Sequence, residues 1–244
     1  MSSANHTKFA LIIPTLNEAN NIHTALRRAC DALATVKYDW EVLVVDDDSR
    51  DGTDKLVQEY AKLQPRVRLF TRPGERGLAG AITYGWSHTD ADLLGVMDAD
   101  LQHPPELLPK LIDEISNGAD IAIASRYLRP HSMDEWNPIR KLLSRLSIIA
   151  SIPVQRHKIR VADPLSGFFV VSRESITGLD FQKTGFKLLL EVLAKARIEV
   201  VREVPYKFSP RTQDRSKANW KVAFYYVALL VKLVQRNRSV ETAE

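Results

Sequence analysis

The sequence lacks most of the features that would set it apart from an ordinary globular protein. It contains a single cysteine, Cys30, which excludes an intrachain disulfide and indicates a reducing compartment. No internal repeat or low-complexity segment is present, and no stretch reaches the roughly 20 apolar residues that are needed to span a bilayer. No secretion signal is expected, because the apolar run KFALII is too short and Pro14 and Glu18 follow it at once.

A strong excess of charge is also missing. The formal net charge is +4 over 244 residues, which is too small to predict a nucleic-acid partner, and we expect none. Hydrophobic residues make up 45% of the chain, the usual share for a globular protein, so the chain is expected to bury a sizeable core.

The first half of the chain alternates apolar runs with helical segments. The runs that read as buried strands are FALIIP, WEVLVVD, RVRLFT, DLLGVMD and DIAIASR. Helices are predicted over residues 18–36, from Ser49 or Asp51 to about Leu63, over 77–88 and over 104–118. Strands that are apolar on both faces and alternate with helices indicate an α/β fold, with a mostly parallel central sheet covered by helices on both faces. Ligands bind at the carboxyl ends of such strands.

Polar residues follow four of these predicted strands. They are Pro14 to Glu18, Asp46 to Ser49, Asp98 to Gln102, and Arg126. A single acidic loop is usually a solvated turn or a helix cap, but several acidic strand ends at one edge need a cation or hydrogen-bond donors to neutralise them. In an extended segment Asp98 and Asp100 would face the same side, and Gln102 would add a neutral oxygen. The pattern predicts Mg²⁺ or Mn²⁺ carrying a nucleotide diphosphate.

A second pattern lies in the segment NPIRKLLSRLSIIASI. Asn137 and Pro138 are suited to start a helix, which then carries an apolar stripe of Ile139, Leu142, Leu143, Leu146 and Ile149. Arg140 and Ser144 are four residues apart and share a face, where a guanidinium and a hydroxyl suit a phosphate monoester. The alternative is an ordinary amphipathic surface helix with solvated arginines.

Several motifs resemble a known family. The segments PTLNE, VVDDDSRDGT, GLAGA, MDADLQHPPE and ASRY resemble the inverting nucleotide-sugar glycosyltransferases of family 2, which have the GT-A fold. More narrowly, RKLLSR, DPLSGFFVVSRE, GFKLLLEVLAK and the spacing of Arg211 and Lys217 resemble the dolichol-phosphate mannose synthases and their bacterial polyprenol-phosphate relatives. The resemblance implies a GT-A catalytic domain over residues 1–220. Residues 221–244 would be a C-terminal helix and tail for a membrane interface or a docking partner.

The resemblance also implies roles for individual residues. The base and ribose pocket would be lined by Pro14, Leu16, Glu18, Val44 and Asp46. Asp98 and Ala99 would contact the nucleotide sugar, and Asp100 and Gln102 would bind Mg²⁺ or Mn²⁺. The residues that grip phosphates, and with Asp100 form the catalytic set, would be Arg126, Arg211 and Lys217. The lipid phosphate would be received by Arg126, Arg140 and Ser144. The chain departs from the family at Leu16, where an aromatic residue is frequent, and at Asp214-Arg215, where Gly-Glu is frequent.

The implied reaction is metal-dependent, inverting transfer of a monosaccharide to a polyprenyl or dolichyl phosphate, with GDP-mannose as the favoured donor. The chain contains no Glu-Asp dipeptide, which supplies the base in many family members, and no Gln-x-x-Arg-Trp signature of processive polymer synthases. A phosphate acceptor explains the missing base, because its second pKa lies near ~6 and it is already ionised. Two alternatives remain open: transfer from UDP-glucose or another UDP-sugar to undecaprenyl phosphate, and a non-catalytic nucleotide-sugar-binding subunit.

The charge pattern around the 138–152 helix predicts contact with a membrane. Basic residues between positions 126 and 160 are Arg126, Arg129, Arg140, Lys141, Arg145, Arg156, Lys158 and Arg160, against only Asp134 and Glu135. Such a pattern favours a peripheral protein on the cytoplasmic face of an anionic membrane. The apolar stretch over residues 220–234 is a second candidate for the interface or for docking a membrane-embedded partner subunit. The alternative is that both apolar faces pack on the domain.

The remaining polar residues and Gly167 are weighed between a role at the site and a structural or surface role. Asp163 is expected to shape the site beneath the sugar, while Ser166 and Gly167 fit that role and a structural turn equally well. His103 is interpreted as a loop residue that leads into a helix. Lys187 and Glu191, four apart on a predicted helix, are interpreted as a surface pair.

Overall fold

The computed structural model describes residues 8–128, 138–155, 159–183, 185, 187–207 and 228–235, with side chains of the helix that starts at Pro138 described from Ser144 onward. The predictions for Arg211, Lys217 and the side chain of Arg140 therefore lie outside the described residues.

The described part of the chain forms seven strands and eight helices. The strands are β1 Lys8–Thr15, β2 Asp39–Asp46, β3 Val67–Thr71, β4 Leu93–Val96, β5 Ile121–Ser125, β6 Phe169–Ser172 and β7 Val201–Pro205. The helices are α1 Ile22–Leu33, α2 Thr53–Leu63, α3 Leu78–Ser87, α4 Leu108–Ser116, α5 Pro138–Ser151, α6 Arg173–Ile176, α7 Leu188–Lys195 and α8 over 228–235. Short 3₁₀ turns at Pro105–Leu107 and Ile152–Val154 flank α4 and α5.

All seven strands belong to one sheet, in the order β3-β2-β1-β4-β6-β5-β7. Only β6 runs against its neighbours, β4 and β5, and every other pairing is parallel. The predicted α/β fold with a mostly parallel sheet is confirmed. The register pairs Thr15 with Asp46 and Ile12 with Val96, so the carboxyl ends of β1, β2 and β4 lie at one edge. The chain leaves β1 toward β2 and returns to the opposite side of β1 at β4, which makes this edge a topological switch point.

The sheet is buried on both faces, as its apolar strands predict. Ile13 and Val44 pack with α1 and α4 on one face, while Ile12 and Val96 pack with α3 and α7 on the other. Each fully buried Leu, Ile or Val contributes about 1.5–3 kcal/mol relative to an exposed side chain. The core therefore holds the strand ends, and the loops that follow them, in fixed positions.

A buried carboxylate stabilises the opposite end of the sheet. Glu41 on β2 accepts hydrogen bonds from Thr89 Oγ1 at 2.6 Å and Arg68 Nη1 at 3.0 Å, and its carboxylate lies 3.2 Å from Lys8 Nζ. Burial raises the pKa of Glu41, but these three partners outweigh it and hold the pKa below the ordinary value of 4.5. The ionised form is therefore favoured in the folded state.

The end of the described chain packs on the domain. Leu229 and Leu233 of α8 are buried against Val154, Leu190 and Ala194, so this face of the predicted C-terminal helix is part of the fold. The helices of the described residues are all too short or too polar to cross a bilayer.

Candidate active site

The loops after β1 and β2 are held together by the buried carboxylate of Asp46. It accepts hydrogen bonds from Thr15 Oγ1 at 2.7 Å, from Ser49 Oγ at 2.6 Å and from the Ser49 backbone amide at 2.8 Å. The amide of Asn17 in turn donates to Ser49 Oγ at 2.7 Å. The amides of Glu18 and Ala19 donate to Thr53 Oγ1 and Asp51 Oδ2, each at 2.9 Å, and α1 starts at Ile22 rather than at residue 18 as predicted. Leu16, the residue after β1, is half-buried.

Two carboxylates of the acidic loop after β2 have structural partners. Asp47 is buried and binds Arg72 through Nε at 2.8 Å and Nη2 at 2.6 Å, and it accepts the Gly77 amide at 2.8 Å. Asp51 Oδ1 accepts the amide of Thr53 at 3.1 Å in the turn before α2, whose N-cap is Gly52 and which has no side-chain cap. The prediction that Ser49 or Asp51 caps α2 is therefore wrong, and Asp47 is a buried ion-pair partner rather than a solvated turn residue.

The acidic loop after β4 does not continue in the direction of the strand. The strand ends at Val96 and the chain bends at residues 99–101, where Leu101 has a φ of 60°. The strand alternation that was expected to align Asp98 with Asp100 therefore stops here. Asp98 is partly exposed, whereas Asp100 is 8% exposed and accepts the Gln102 amide at 3.1 Å.

His103 is a loop residue that leads into the 3₁₀ turn before α4, as predicted, and it is also buried. Its Nδ1 lies 3.8 Å from Asp98 Oδ2, and its ring packs against Phe168 and Tyr206 at centroid distances of 5.4 and 6.1 Å. Burial lowers the pKa of His103 to about 4, although Asp100 raises it. The imidazole is therefore neutral at neutral pH and supports the loop without adding a charge.

Asp98 rests against the backbone of Gly167. A Cβ built on Gly167 would lie 2.5 Å from Asp98 Oδ2 and 3.1 Å from its Cγ, so no side chain fits there without moving the carboxylate. The neighbouring Ser166 is buried and donates from Oγ to the Ala124 carbonyl at 2.8 Å, which is a structural contact. Both residues were open to a role in the site or in a structural turn. Gly167 contacts the site residue Asp98, whereas Ser166 makes a structural contact in the turn.

Arg126, at the end of β5, is fixed by a buried carboxylate. Asp163 accepts Arg126 Nε and Nη2, each at 2.7 Å, and also the Arg126 amide at 3.1 Å. Glu203 on β7 accepts the amides of Ala162 and Asp163 at 2.8 and 3.1 Å, and so positions the segment that carries this carboxylate. The two parallel bonds to Asp163 have the bidentate geometry typical of positioned arginines, so the guanidinium has little rotational freedom.

Lys187 lies in this cluster, and its interpretation as half of a surface pair is wrong. Burial lowers its pKa, the nearby charge of Arg126 lowers it further, and Asp98 and Asp163 raise it. Its supposed partner Glu191 is 2% exposed and binds Lys195 and the Gln182 amide instead. Lys187 is therefore a half-buried cation among the candidate site residues, and the apolar run LLLEVLA that follows it is the signal for its burial.

The candidate acceptor serine, Ser144, lies next to the residue that follows Arg126. Ser144 Oγ on α5 contacts the phenol oxygen of Tyr127, the residue after Arg126. Further along α5, Leu146 and Ile149 are 51% and 59% exposed. The predicted apolar stripe is thus unburied at these two positions.

The other predicted site residues lie at the same edge. Pro14 pairs with Val45 one residue before the end of β1, and Ala99 and Gln102 are buried in the loop after β4. Val44 is fully buried in the core, where it pairs with Ile13 on β1 and Leu69 on β3. No group of three or more His, Cys, Asp or Glu side chains among the described residues is arranged to hold a metal ion.

The sheet order, with one reversed strand, and the acidic loop at its switch point define a GT-A glycosyltransferase fold. Glucosyl-3-phosphoglycerate synthase from Mycobacterium tuberculosis, solved with Mn²⁺, UDP-glucose and phosphoglyceric acid, superposes with a TM-score of 0.69 at 19% identity, covering 96% of this chain and 81% of that one. The same enzyme was also solved with Mg²⁺ and UDP, at a TM-score of 0.71. The predicted GT-A fold is confirmed.

The chain belongs to glycosyl transferase family 2, whose profile matches residues 10–178. A dolichol-phosphate mannosyltransferase of Pyrococcus furiosus is 41% identical over 229 residues, which are 93% of this chain and 64% of that protein. This chain therefore spans less than two thirds of the Pyrococcus relative. A dolichol-phosphate mannosyltransferase of Saccharomyces cerevisiae is 32% identical over 236 residues, covering 93% of this chain and 86% of that protein.

Proposed function

We propose that this protein transfers mannose from GDP-mannose to a polyprenyl phosphate, such as dolichyl phosphate, with inversion at the anomeric carbon. The observation that carries the proposal is that Asp98 and Asp100 after β4, and Arg126 after β5, lie at the carboxyl edge of a GT-A sheet. The names of the relatives at 32–41% identity support the choice of sugar and acceptor. Residues 1–220 would form the catalytic domain, with α8 packed on it.

The charges of the site fit a divalent cation. Three carboxylates, Asp98, Asp100 and Asp163, face two cations, Arg126 and Lys187, so the described cluster is net negative while its substrate is a diphosphate. Oxygen donors suit Mg²⁺ or Mn²⁺, and Mg²⁺ commonly takes only one or two protein carboxylates beside substrate phosphates and water. Asp100 and Gln102 would hold the ion. When bound, it would neutralise charge on the diphosphate as the nucleotide leaves.

The protein's own cations would complete the donor site. Arg126 is held rigidly by Asp163, and Lys187 lies close enough for the arginine to lower its pKa. An anion placed between these two groups would relieve their repulsion. We assign both to the phosphates at the reacting centre, with Arg211 and Lys217 closing over the leaving diphosphate. Asp98 would contact the sugar, and Pro14, Leu16, Glu18, Val44 and Asp46 would line the base and ribose pocket.

The acceptor needs to be positioned rather than deprotonated. A phosphate monoester has a second pKa near ~6, so its oxygen is already a nucleophile at neutral pH. Arg126, Arg140 and Ser144 would hold that phosphate in line with the anomeric carbon, and positioning of this kind supplies much of an enzymatic rate enhancement. This arrangement accounts for a site without a dedicated general base.

The protein would work at a membrane surface. Six large apolar side chains are exposed among the described residues, and four of them lie at positions 128–152: Leu128, Leu146, Ile149 and Ile152. Their clustering beside the candidate acceptor serine supports shallow insertion into the cytoplasmic leaflet, strengthened by the basic residues of the segment. A membrane-embedded partner subunit would be the alternative anchor.

The experiment is a donor and acceptor matrix with the purified protein. GDP-mannose and UDP-glucose are each incubated with dolichyl phosphate or undecaprenyl phosphate, in Mn²⁺, Mg²⁺ or EDTA, and the lipid extract is analysed by mass spectrometry. The proposal predicts a mannosyl phospholipid that requires the metal. A glucosylated lipid from UDP-glucose would establish the alternative donor. Tight binding of a nucleotide sugar in calorimetry, without transfer to either lipid, would identify a non-catalytic subunit.

A further inference from the structure

We propose that Tyr127 is a positioning residue for the acceptor phosphate and acts through the hydroxyl of Ser144. The inference rests on the proposed function, because it takes Ser144 as a phosphate ligand. Tyr127 directly follows Arg126, whose guanidinium carbon lies 5.8 Å from the centre of the Tyr127 ring. Its phenol oxygen contacts Ser144 Oγ on α5. The Tyr127 side chain thus contacts both Arg126 and Ser144, two of the residues assigned to the acceptor phosphate.

The direction of this hydrogen bond follows from the protons available. Serine and tyrosine hydroxyls each donate one hydrogen bond and accept others. A phosphate dianion offers only acceptors, so Ser144 must direct its single proton to the phosphate. Tyr127 is then the donor within the hydroxyl pair. A donor in such a chain polarises the next one, so the phenol also strengthens the bond from Ser144 to the phosphate.

Without the phenol, the serine proton has a competing acceptor in its own helix. Serine hydroxyls in helices commonly donate to the carbonyl four residues earlier. The hydroxyl of Thr83 in α3 makes this kind of bond, with Oγ1 2.9 Å from the Ala79 carbonyl oxygen. Ser144 has the same option toward residue 140. Tyr127 opposes it by fixing the rotamer in which the serine oxygen accepts from the phenol and the serine proton faces the site.

The test compares Tyr127→Phe, Ser144→Ala and the double variant with Tyr84→Phe as a matched control on α3. The assays are KM for polyprenyl phosphate, KM for GDP-mannose, kcat, and the Kd of citronellyl phosphate, a soluble isoprenyl phosphate, measured by calorimetry. Tyr127→Phe should raise the acceptor KM and the citronellyl phosphate Kd about threefold to tenfold, the loss of one ordinary hydrogen bond. Donor KM and kcat at saturating acceptor should stay unchanged, as should all values for Tyr84→Phe.

The double-variant cycle separates positioning from a general structural role. If Tyr127 acts through Ser144, adding Tyr127→Phe to Ser144→Ala should cause no further loss. A loss that persists in the Ser144→Ala background, or unchanged acceptor binding in Tyr127→Phe, would overturn the inference. Wild-type binding of citronellyl phosphate without mannose transfer would overturn the proposed function alone, because the Kd series still decides the role of Tyr127. Absence of wild-type binding to that phosphate would overturn both.

Discussion

Replacing Gly167 with alanine should disable the site while leaving the fold nearly intact. The new Cβ would lie 2.5 Å from Asp98 Oδ2, whereas ordinary contacts begin at 3.4 Å, so the carboxylate must move by about 0.9 Å. Asp98 is partly exposed and the atom to be displaced is the end of its side chain, so it can swing toward solvent at little cost in stability. A misplacement of about 1 Å at a reacting centre costs on the order of 100-fold in rate.

The assay is mannose transfer to polyprenyl phosphate, measured beside thermal unfolding. Gly167→Ala should lower kcat/KM about 100-fold, with a melting temperature close to that of the wild type. Gly118→Ala is a control with the opposite expectation. A Cβ at Gly118 would meet no neighbouring atom, but the φ of +94° would strain an alanine. Strain there should cost about 1–2 kcal/mol and lower the melting temperature, with kcat/KM unchanged.

A second comparison tests whether the effect passes through Asp98. In the Asp98→Ala background, which has no carboxylate to displace, adding Gly167→Ala should change kcat/KM by less than about twofold. The reasoning would be refuted if Gly167→Ala alone kept its activity within twofold of the wild type. It would also be refuted if the two losses multiplied in the double variant, since Gly167 would then act on another group.

Three further predictions follow from other parts of the molecule. Asp100→Ala should abolish transfer while the protein still unfolds cooperatively, with a melting temperature lowered by the loss of the bond from the Gln102 amide; full activity of this variant, or of the wild type in excess EDTA, would contradict its role at the metal. Arg140→Ala should lower kcat/KM for the lipid phosphate roughly ten- to a hundredfold, for a lost charge-assisted hydrogen bond of about 1.5–3 kcal/mol, and equal weakening of donor binding would show a wrong assignment. Glu41→Gln should destabilise the protein at neutral pH. Because the folded pKa of Glu41 is depressed, the stabilisation by its carboxylate is present above about pH 4.5 and is lost as the pH falls through the folded pKa. The free energies of urea unfolding of the wild type and Glu41→Gln should therefore become equal at that low pH.

Membrane attachment has a separate test in liposome sedimentation. Binding should rise with anionic lipid, fall with salt, and weaken when Lys141 and Arg145 are changed to glutamate, because both changes remove attraction to the surface. Protein that stays in the supernatant at low salt, whatever the lipid, would show that a partner subunit must supply the anchor.

The alternating part of the fold was predictable because burial on both faces leaves continuous apolar runs. β1, β2, β4 and β5 are such runs, whereas β3, VRLFT, is a partly exposed edge strand, and the structure has all five. β6 and β7 were not predicted. β6 lies beyond the regularly alternating half of the chain, and the segment VREVP of β7 carries two adjacent charged residues and a proline at a sheet edge. The reversal of β6 depends on long-range pairing with β4 and β5, which no local pattern encodes.

The candidate site was predictable where residues follow strand ends, and less so where it depends on packing. The sequence placed Asp98, Asp100 and Arg126 at one edge, because strand ends are visible as apolar runs stopping at polar residues. The burial of Lys187 was missed because its spacing with Glu191 fits a surface ion pair. The contact of Gly167 with Asp98 depends on a backbone approach of 2.5 Å to the position of a missing Cβ, which sequence patterns do not contain.

The central claim is that an ionised lipid phosphate attacks the sugar directly, without a protein base. Transfer from GDP-mannose should therefore be measured with polyprenyl phosphate and with the matching polyprenol, and the anomeric configuration of the product determined by NMR. The account predicts a product only with the phosphate, and an anomeric configuration inverted relative to the donor. Comparable transfer to the free alcohol, or retention of configuration, would contradict it.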